Sequence, residues 1–556
     1  MKFENSFIEQ AEYLPKTDFI SLSSVHPREK EIQKKLTQSG AKLIIGPRGC
    51  GKTTLILKAY YNLLDNNKAL PIYVNFKSSL KLEPNYKKKA NGSYLFNLWM
   101  YLKIYEGLFN FFEESEIDQS LSLSLSKLKC KTLINNLEIG NLDSINQDEK
   151  LLSYYDLESD INTTISYLNL TRAVIYFDDA AHAFSKEQQK DFFELFRKIK
   201  SRNISPKAAI YPGVTNFSPS FNPGHDAELI NVWLDPESDT YFDFMFGLLK
   251  KRIPDSIINE LIENESLLSI LCYSAFGIPR HLLNMARNLY DEENGIVTSK
   301  LNRKQVFNQL KISFESTMNV FDSLQYKLPI YKMHVSFGKD AFETIIQLIK
   351  EYNRNKTIVR KSIVIAFKKN VHPDLSIIFG FFQYAGLLRY KGDLNKGVKG
   401  TFEQYIVNVA GLINKNAILT TRSINVESLA ISLKNRNAHE FTRTQSQNFL
   451  ENDYIVKLTL PPCQNCGQER VNENARFCSN CGAKLSESSV YKTLIKDDIS
   501  KLQLTSKRIA SIKTESSIDT IKDILFDIGH KELRSVKGIG EFWGQKIYYL
   551  AEEYIS

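Results

Sequence analysis

Short apolar runs alternate along the chain with longer segments whose apolar residues recur at helical spacing. That alternation predicts an α/β fold with a parallel sheet. Residues 41–45 read as a short buried strand and 54–60 as the helix after it. Further strands are expected at 70–76, 173–177, 207–211 and 228–233, giving five. A helix at 186–202 carries an apolar stripe of Phe192, Phe193, Leu195, Phe196 and Ile199. Residues 77–170 predict a mainly helical insertion, as the spacing of Leu95, Phe96, Leu98 and Trp99 suggests. Within it, 120–126 alternates Ser and Leu and reads as either a strand or a loop.

Downstream, Pro279 opens a helix with Leu282, Leu283 and Met285 facing inward. Residues 342–349, 360–369 and 375–385 read as three more helices. A strand at 386–391, a turn at 392–397 and a returning strand at 400–409 follow. Residues 486–516 read as a linker and 542–554 as a final helix.

At 556 residues the chain exceeds one core, and about three to five folded units are expected. The N-terminal residues carry no apolar signal core, and the most apolar window, 375–388, is too short and interrupted to span a bilayer. A cytoplasmic chain with no membrane partner is expected. The net charge of +9 is unevenly spread. Residues 300–453 hold 23 Lys and Arg against 12 Asp and Glu, a surplus of 11, while the remainder is near neutral. A basic middle region is a candidate surface for a polyanion such as DNA.

Three clusters carry candidate chemistry. Gly46, Pro47, Arg48, Gly49, Cys50, Gly51, Lys52 and Thr53 match the phosphate-loop pattern G-x-x-x-x-G-K-[ST], with Thr54 continuing into the helix. Gly49 and Gly51 let backbone N–H groups turn toward phosphate oxygens, and the helix N-terminus adds a favourable dipole. Lys52 suits the β- and γ-phosphates and Thr53 suits Mg²⁺, so ATP and Mg²⁺ are the expected cofactors. The strand at 173–177 ends in Asp178 and Asp179, where Asp178 suits Mg²⁺ and Asp179 suits orienting an attacking water. Two C-x-x-C-G knuckles, Cys463/Cys466 and Cys478/Cys481, predict a four-thiolate Zn²⁺ site with no open position for catalysis. Cys50, Cys130 and Cys272 are scattered, a usage that suits a reduced compartment.

In this order the motifs resemble the AAA+ ATPases over residues 25–289, nearest their origin-recognition-complex initiator branch. The resemblance implies that Thr215 or Asn216 acts as sensor 1 and that Arg280, in a G-x-P-R before a helix, acts as sensor 2. It also implies a base-contacting role for Arg28 in the segment 26–31. Two departures stand out. Asp179 occupies a position where most relatives carry Glu. Residues 217–232 contain no Arg or Lys to serve as an arginine finger, so a finger comes from elsewhere, such as Arg197 or Arg202, or the protein is not a ring motor. Slow or partner-stimulated ATP hydrolysis follows from both.

The middle region resembles a winged helix, a module that binds DNA or docks proteins. Arg360, Lys361, Lys368 and Lys369 head its candidate phosphate contacts, with Lys356, Arg389, Lys391, Lys396 and Lys399. The segment 533–540 resembles a helix-hairpin-helix, in which Lys537, Gly538 and Gly540 would meet a DNA phosphate or merely pack. The expected domains are a nucleotide-binding core at 1–235 with its insertion at 77–170, and a helical lid at 236–299. A basic winged-helix-like domain at 300–455, a zinc ribbon at 456–486 and a helical linker with helix-hairpin-helix at 487–556 follow. Three readings stay open: a DNA-binding ATP switch, as a homo-oligomer or not; a STAND-type signalling ATPase sensing a protein, such as a phage product in antiviral defence; and a helper for a separate nuclease or transposase.

Overall fold

A computed structural model describes residues 10–88, 91–117, 121–141, 152–180, 185–293, 296–299, 301–357, 361–419, 425–434, 441–451, 454–470, 472, 475–485, 489–502 and 504–555. Its core is a five-stranded sheet of β1 (Lys42–Ile45), β2 (Leu70–Asn75), β3 (Ala173–Asp178), β4 (Ile204–Ile210) and β5 (Glu228–Asn231). The spatial order is β2-β3-β4-β1-β5 and every pairing is parallel. Parallel strands need crossovers that cover both faces, so the central ones are buried throughout; β3 and β4 have no exposed residue. One face packs on Ile32, Leu55, Ile56 and Tyr60, the other on Trp99, Phe192 and Phe196. The sheet matches the five strands expected, although β4 starts earlier and β5 stops earlier.

The described residues of the insertion are mainly helical, with helices Glu83–Lys88, Gly92–Glu114, Lys127–Ile139 and Tyr154–Tyr167. The described part of 120–126 is a loop that ends by capping: Ser126 accepts from Lys129 N at the start of Lys127–Ile139. The lid comprises Tyr241–Lys250, Asp255–Glu263, Glu265–Ser274 and Pro279–Arg287, followed by the hairpin β6 (Tyr290–Glu293) and β7 (Ile296–Ser299). Among the described residues no helix is long and apolar enough to cross a membrane.

The middle domain pairs two long helices, Arg303–Lys327 and Lys332–Asn353, with a sheet ordered β11-β8-β10-β9. Here β8 is Val364–Lys368, β9 Leu388–Asn395, β10 Thr401–Val407 and β11 Thr442–Thr444. The β9–β10 hairpin is the expected wing. The helix expected at 360–369 is instead β8, whose Val364, Ile365, Ala366 and Phe367 are all buried. A continuous apolar run bounded by cations fits a strand sandwiched on both faces better than an amphipathic helix.

The helix Pro373–Ala385, in the position of a recognition helix, does not face solvent. Gly380 lies so close to Gly213, beyond β4, that a Cβ on Gly213 would come within 2.1 Å of the Gly380 carbonyl carbon. Two glycines let this helix dock on the nucleotide-binding core.

The described residues of the expected linker at 486–516, namely 489–502 and 504–516, are folded. Val490, Leu494, Ile499, Leu502 and Ile512 form a core with Ile521, Leu533, Ile547 and Ile555 of the C-terminal module. Leu80 of the insertion joins this cluster, and buried Glu83 accepts from Ser489 Oγ, Val490 N and Tyr491 N at 2.7, 3.1 and 3.0 Å. The C-terminal module is thus anchored on the insertion of the parallel-sheet domain.

Candidate functional site

The site grows from the carboxyl ends of β1, β3 and β4, where a parallel sheet presents its ligands. Gly49 and Gly51, with φ of +80° and +95°, carry the chain from β1 into the helix Lys52–Asn66. Lys52 is buried at that helix start, its Nζ donating to the carbonyls of Gly46 and Pro47, both at 2.9 Å. The same nitrogen lies 3.7 Å from the centre of the Tyr211 ring. Burial pulls the Lys52 pKa down, against the opposing pull of Cys50, Asp179 and Asp178.

Asp178 ends β3 and is buried. Tyr73 OH donates to its Oδ2 at 2.9 Å, Asp179 N to its Oδ1 at 3.1 Å, and Thr53 also hydrogen-bonds it. Burial, then repulsion from Asp179 and Glu12, pushes the Asp178 carboxyl up to about 7. A Thr hydroxyl bonded to a buried carboxylate is a hard-oxygen donor set, and these residues fit Mg²⁺. Asp179 takes a left-handed backbone conformation, φ 53°, which aims its carboxylate into the cavity rather than along the strand. Its Oδ1 accepts from Tyr211 OH at 3.0 Å.

The lid closes the other side. Arg280 N lies 3.4 Å from Gly49 O, and a Cβ on Gly49 would come within 2.8 Å of Arg280 Cβ. Ahead of it, Phe276 and Gly277 both adopt positive φ, 57° and 71°. Any side chain at Gly277 would strike the Leu234 carbonyl at 2.3 Å, so this lid entry needs its glycine. The sheet order, a phosphate loop after β1, an acidic pair at the end of β3 and a lid arginine on that loop now stand together. The core has the AAA+ fold.

No protein-family model and no curated protein matches the chain. Solved structures similar to it include a Walker-type ATPase of Pyrococcus abyssi, 16% identical over 70% of this chain and 95% of that one, TM-score 0.37. Cdc6p of Pyrobaculum aerophilum is 13% identical over 75% and 96%, TM-score 0.30. The ORC1 protein of Aeropyrum pernix, solved in complex with DNA, is 13% identical over 74% and 95%, also at 0.30.

Not every expected residue reaches the cavity. Thr215 Oγ1 is engaged with Tyr211, accepting from its N at 3.1 Å and donating to its O at 2.7 Å. Asn216 bonds Gln189 Oε1 through N and Nδ2. Neither lines the cavity, whereas Tyr211, the residue directly after β4, does. Arg28 pairs with Glu31, Nε to Oε2 at 3.0 Å, and reaches Asn231 O. Its near neighbour His26 lines the cavity instead, 5.6 Å edge-on to Phe244 of the lid. Burial first, then the charge of Arg28, hold the His26 ring down at about 4, so it is neutral at pH 7. With Leu14, Phe19 and Leu248, this end of the cavity is apolar, as an aromatic base would require. Arg197, one of the two finger candidates, pairs with Glu194.

The four knuckle thiols lie within 4.8 Å of one another. Cys463 Sγ to Cys481 Sγ is 3.5 Å and Cys466 Sγ to Cys478 Sγ 3.7 Å. Four sulfurs at about 2.3 Å from Zn²⁺ would lie about 3.8 Å apart, so the cluster fits that ion. Gly467 and Gly482, at φ +72° and +69°, donate back to Cys463 O and Cys478 O and close the two turns.

Of the expected DNA contacts, Arg360 lies outside the described residues. Lys361 is a correction: it is buried and donates to Ile418 O at 2.5 Å, so no phosphate can reach it. Arg389 pairs with Asp235 at 3.1 Å and Lys391 with Glu237, tying the wing to the segment after β5. Lys368, Lys369, Lys396 and Lys399 remain exposed around the wing, Lys369 pairing with Asp393 at 2.8 Å. In the C-terminal hairpin Gly538 and Gly540 have open space before them, while Lys537 N donates to Glu515 Oε2 at 2.8 Å.

Proposed function

We propose that this chain is an ATP-controlled switch that binds DNA and hydrolyses ATP slowly. The observation that carries the ATPase reading is one cavity into which Lys52, Thr53, Asp179 and Arg280 converge from three elements. Lys52 would neutralise the terminal phosphates, and Thr53 with Asp178 would hold Mg²⁺, which when bound offsets phosphate charge. Asp179, fixed by Tyr211, would orient the attacking water as its general base. Asp179→Asn is expected to leave ATP affinity within about twofold but lower turnover by about 100-fold or more. Phosphate release and nucleotide binding check this, and turnover at the parent rate would remove Asp179 from the chemistry.

DNA binding is supported by the exposed lysines of the wing. Coupling is supported by Tyr211, which touches Lys52 and Asp179 on one side and Tyr384 of the helix Pro373–Ala385 on the other, ring centres 5.6 Å apart. We propose Lys368, Lys369, Lys396 and Lys399 as phosphate contacts and the four knuckle cysteines as a structural Zn²⁺ site. Changing these four lysines to Glu should abolish retention of duplex DNA on filters. Single changes to Ala should instead weaken retention and flatten its salt dependence by roughly one log–log unit per lost phosphate contact. Unchanged retention in the all-Glu variant, or retention indifferent to ATP against ADP in the parent, would contradict the reading.

A further inference from the structure

Arg48 of the phosphate loop and Arg280 beside it are bound to a carboxylate from the far end of the chain. The last helix, Glu541–Ile555, lays its final turns along the mouth of the cavity. Glu553 accepts from Arg280 Nη1 and pairs with Arg48 Nε at 3.2 Å, while Arg48 Nη2 donates to Glu553 O at 3.0 Å. Gln10 Nε2 holds its second oxygen at 2.9 Å. One turn earlier, Tyr549 stacks flat on Tyr13 with ring centres 3.4 Å apart, and Lys77 Nζ lies 2.6 Å from Tyr13 OH.

We propose that Glu553 is a built-in competitor for the terminal phosphate of ATP, so that the clamp of Arg48 and Arg280 binds either the C-terminal helix or a triphosphate. The proposal rests on the reading of this cavity as an ATP site.

The chemistry of the clamp supports it. Two guanidinium groups facing one carboxylate keep a surplus positive charge, and their N–H forks suit either a carboxylate or a phosphate. A terminal phosphate brings about two negative charges and three acceptor oxygens, so it is the stronger ligand for the pair. Burial alone would raise the Glu553 carboxyl, but Arg280, Arg48 and Lys77 outweigh it and hold it down at about 2, so it is charged at pH 7.

The docking is also built to let go. At this end it consists of ion pairs, hydrogen bonds and one ring stack. On its other side the same helix gives Ile547, Ala551 and Ile555 to the module's own core, and Glu83 anchors the module elsewhere, so Glu553 and Tyr549 can part from the cavity with that core intact. ADP, lacking the third phosphate, has no group to displace Glu553. The clamp therefore discriminates triphosphate from diphosphate and reports the difference to the C-terminal module.

The test uses the full chain and Glu553→Gln, which keeps shape and removes charge. Fluorescent ATP and ADP analogues are titrated into each, and amide exchange of residues 541–555 is followed with each nucleotide. The expected results are ATP binding about tenfold tighter in the variant, ADP binding unchanged, and faster exchange at 541–555 in the parent with ATP but not ADP. Equal ATP affinity in parent and variant, with exchange indifferent to nucleotide, would overturn the competitor and leave the ATP site standing. Failure of both proteins to bind either nucleotide would overturn the site and the competitor together.

Discussion

Lys52→Ala should weaken ATP binding by about 100-fold and abolish measurable turnover. Such a loss corresponds to about 2.8 kcal/mol, which is within reach of one buried cation making charge-assisted hydrogen bonds to two phosphates. The position has no substitute. Lys52 sits at the first turn of its helix, walled by Tyr211 and the loop carbonyls. Arg48 and Arg280, which also line the cavity, are paired with Glu553. Folding should survive, because the substitution relieves burial of a charge whose pKa burial already lowers. Equilibrium binding and phosphate release on parent and variant check both halves. Parent-like turnover would rule out the phosphate loop as the site.

The second large effect is expected at the knuckles. Cys463→Ser together with Cys466→Ser should lose the bound zinc and unfold residues 456–486, leaving the ATPase core intact. Among the described residues of this segment only Val456, Cys463 and Cys478 are buried, so no apolar core holds it. Metal binding is then the main source of its folding free energy, roughly 10 kcal/mol or more for a four-ligand Zn²⁺ site. Elemental analysis after dialysis should find one zinc per parent chain and none in the variant. Protease cleavage should appear within 456–486 and nowhere in the core. A variant that retains a full equivalent of zinc would contradict the four-cysteine assignment.

What the sequence made legible was local chemistry. The strand, glycine loop and helix at 41–60 are short-range, and so are the acid pair after β3 and the knuckles, whose glycines the turn geometry requires. What stayed hidden was tertiary. Lys361 reads as a solvated cation, yet just ahead of β8 its long chain is buried and its head finds the Ile418 carbonyl. Tyr211 carries no motif signal, yet its place directly after β4 sets its ring against Lys52 and its hydroxyl on Asp179, contacts that Thr215 and Asn216 do not make. His26 differs from Arg28 by two positions, and only the lid decides which of them faces inward. The segment 486–516 resembled a linker because its apolar residues are spread over short helices that close only against Leu80 and the last helix. Glu553 lies 505 residues from Arg48, and no sequence pattern links them.

Whether a nucleotide is held between the phosphate loop and the lid is decided by calorimetric titration of the 556-residue chain with ATP in Mg²⁺. The structure predicts saturation at one ATP per chain, lost in Lys52→Ala. Absence of saturable binding, or binding that Lys52→Ala leaves untouched, would contradict it.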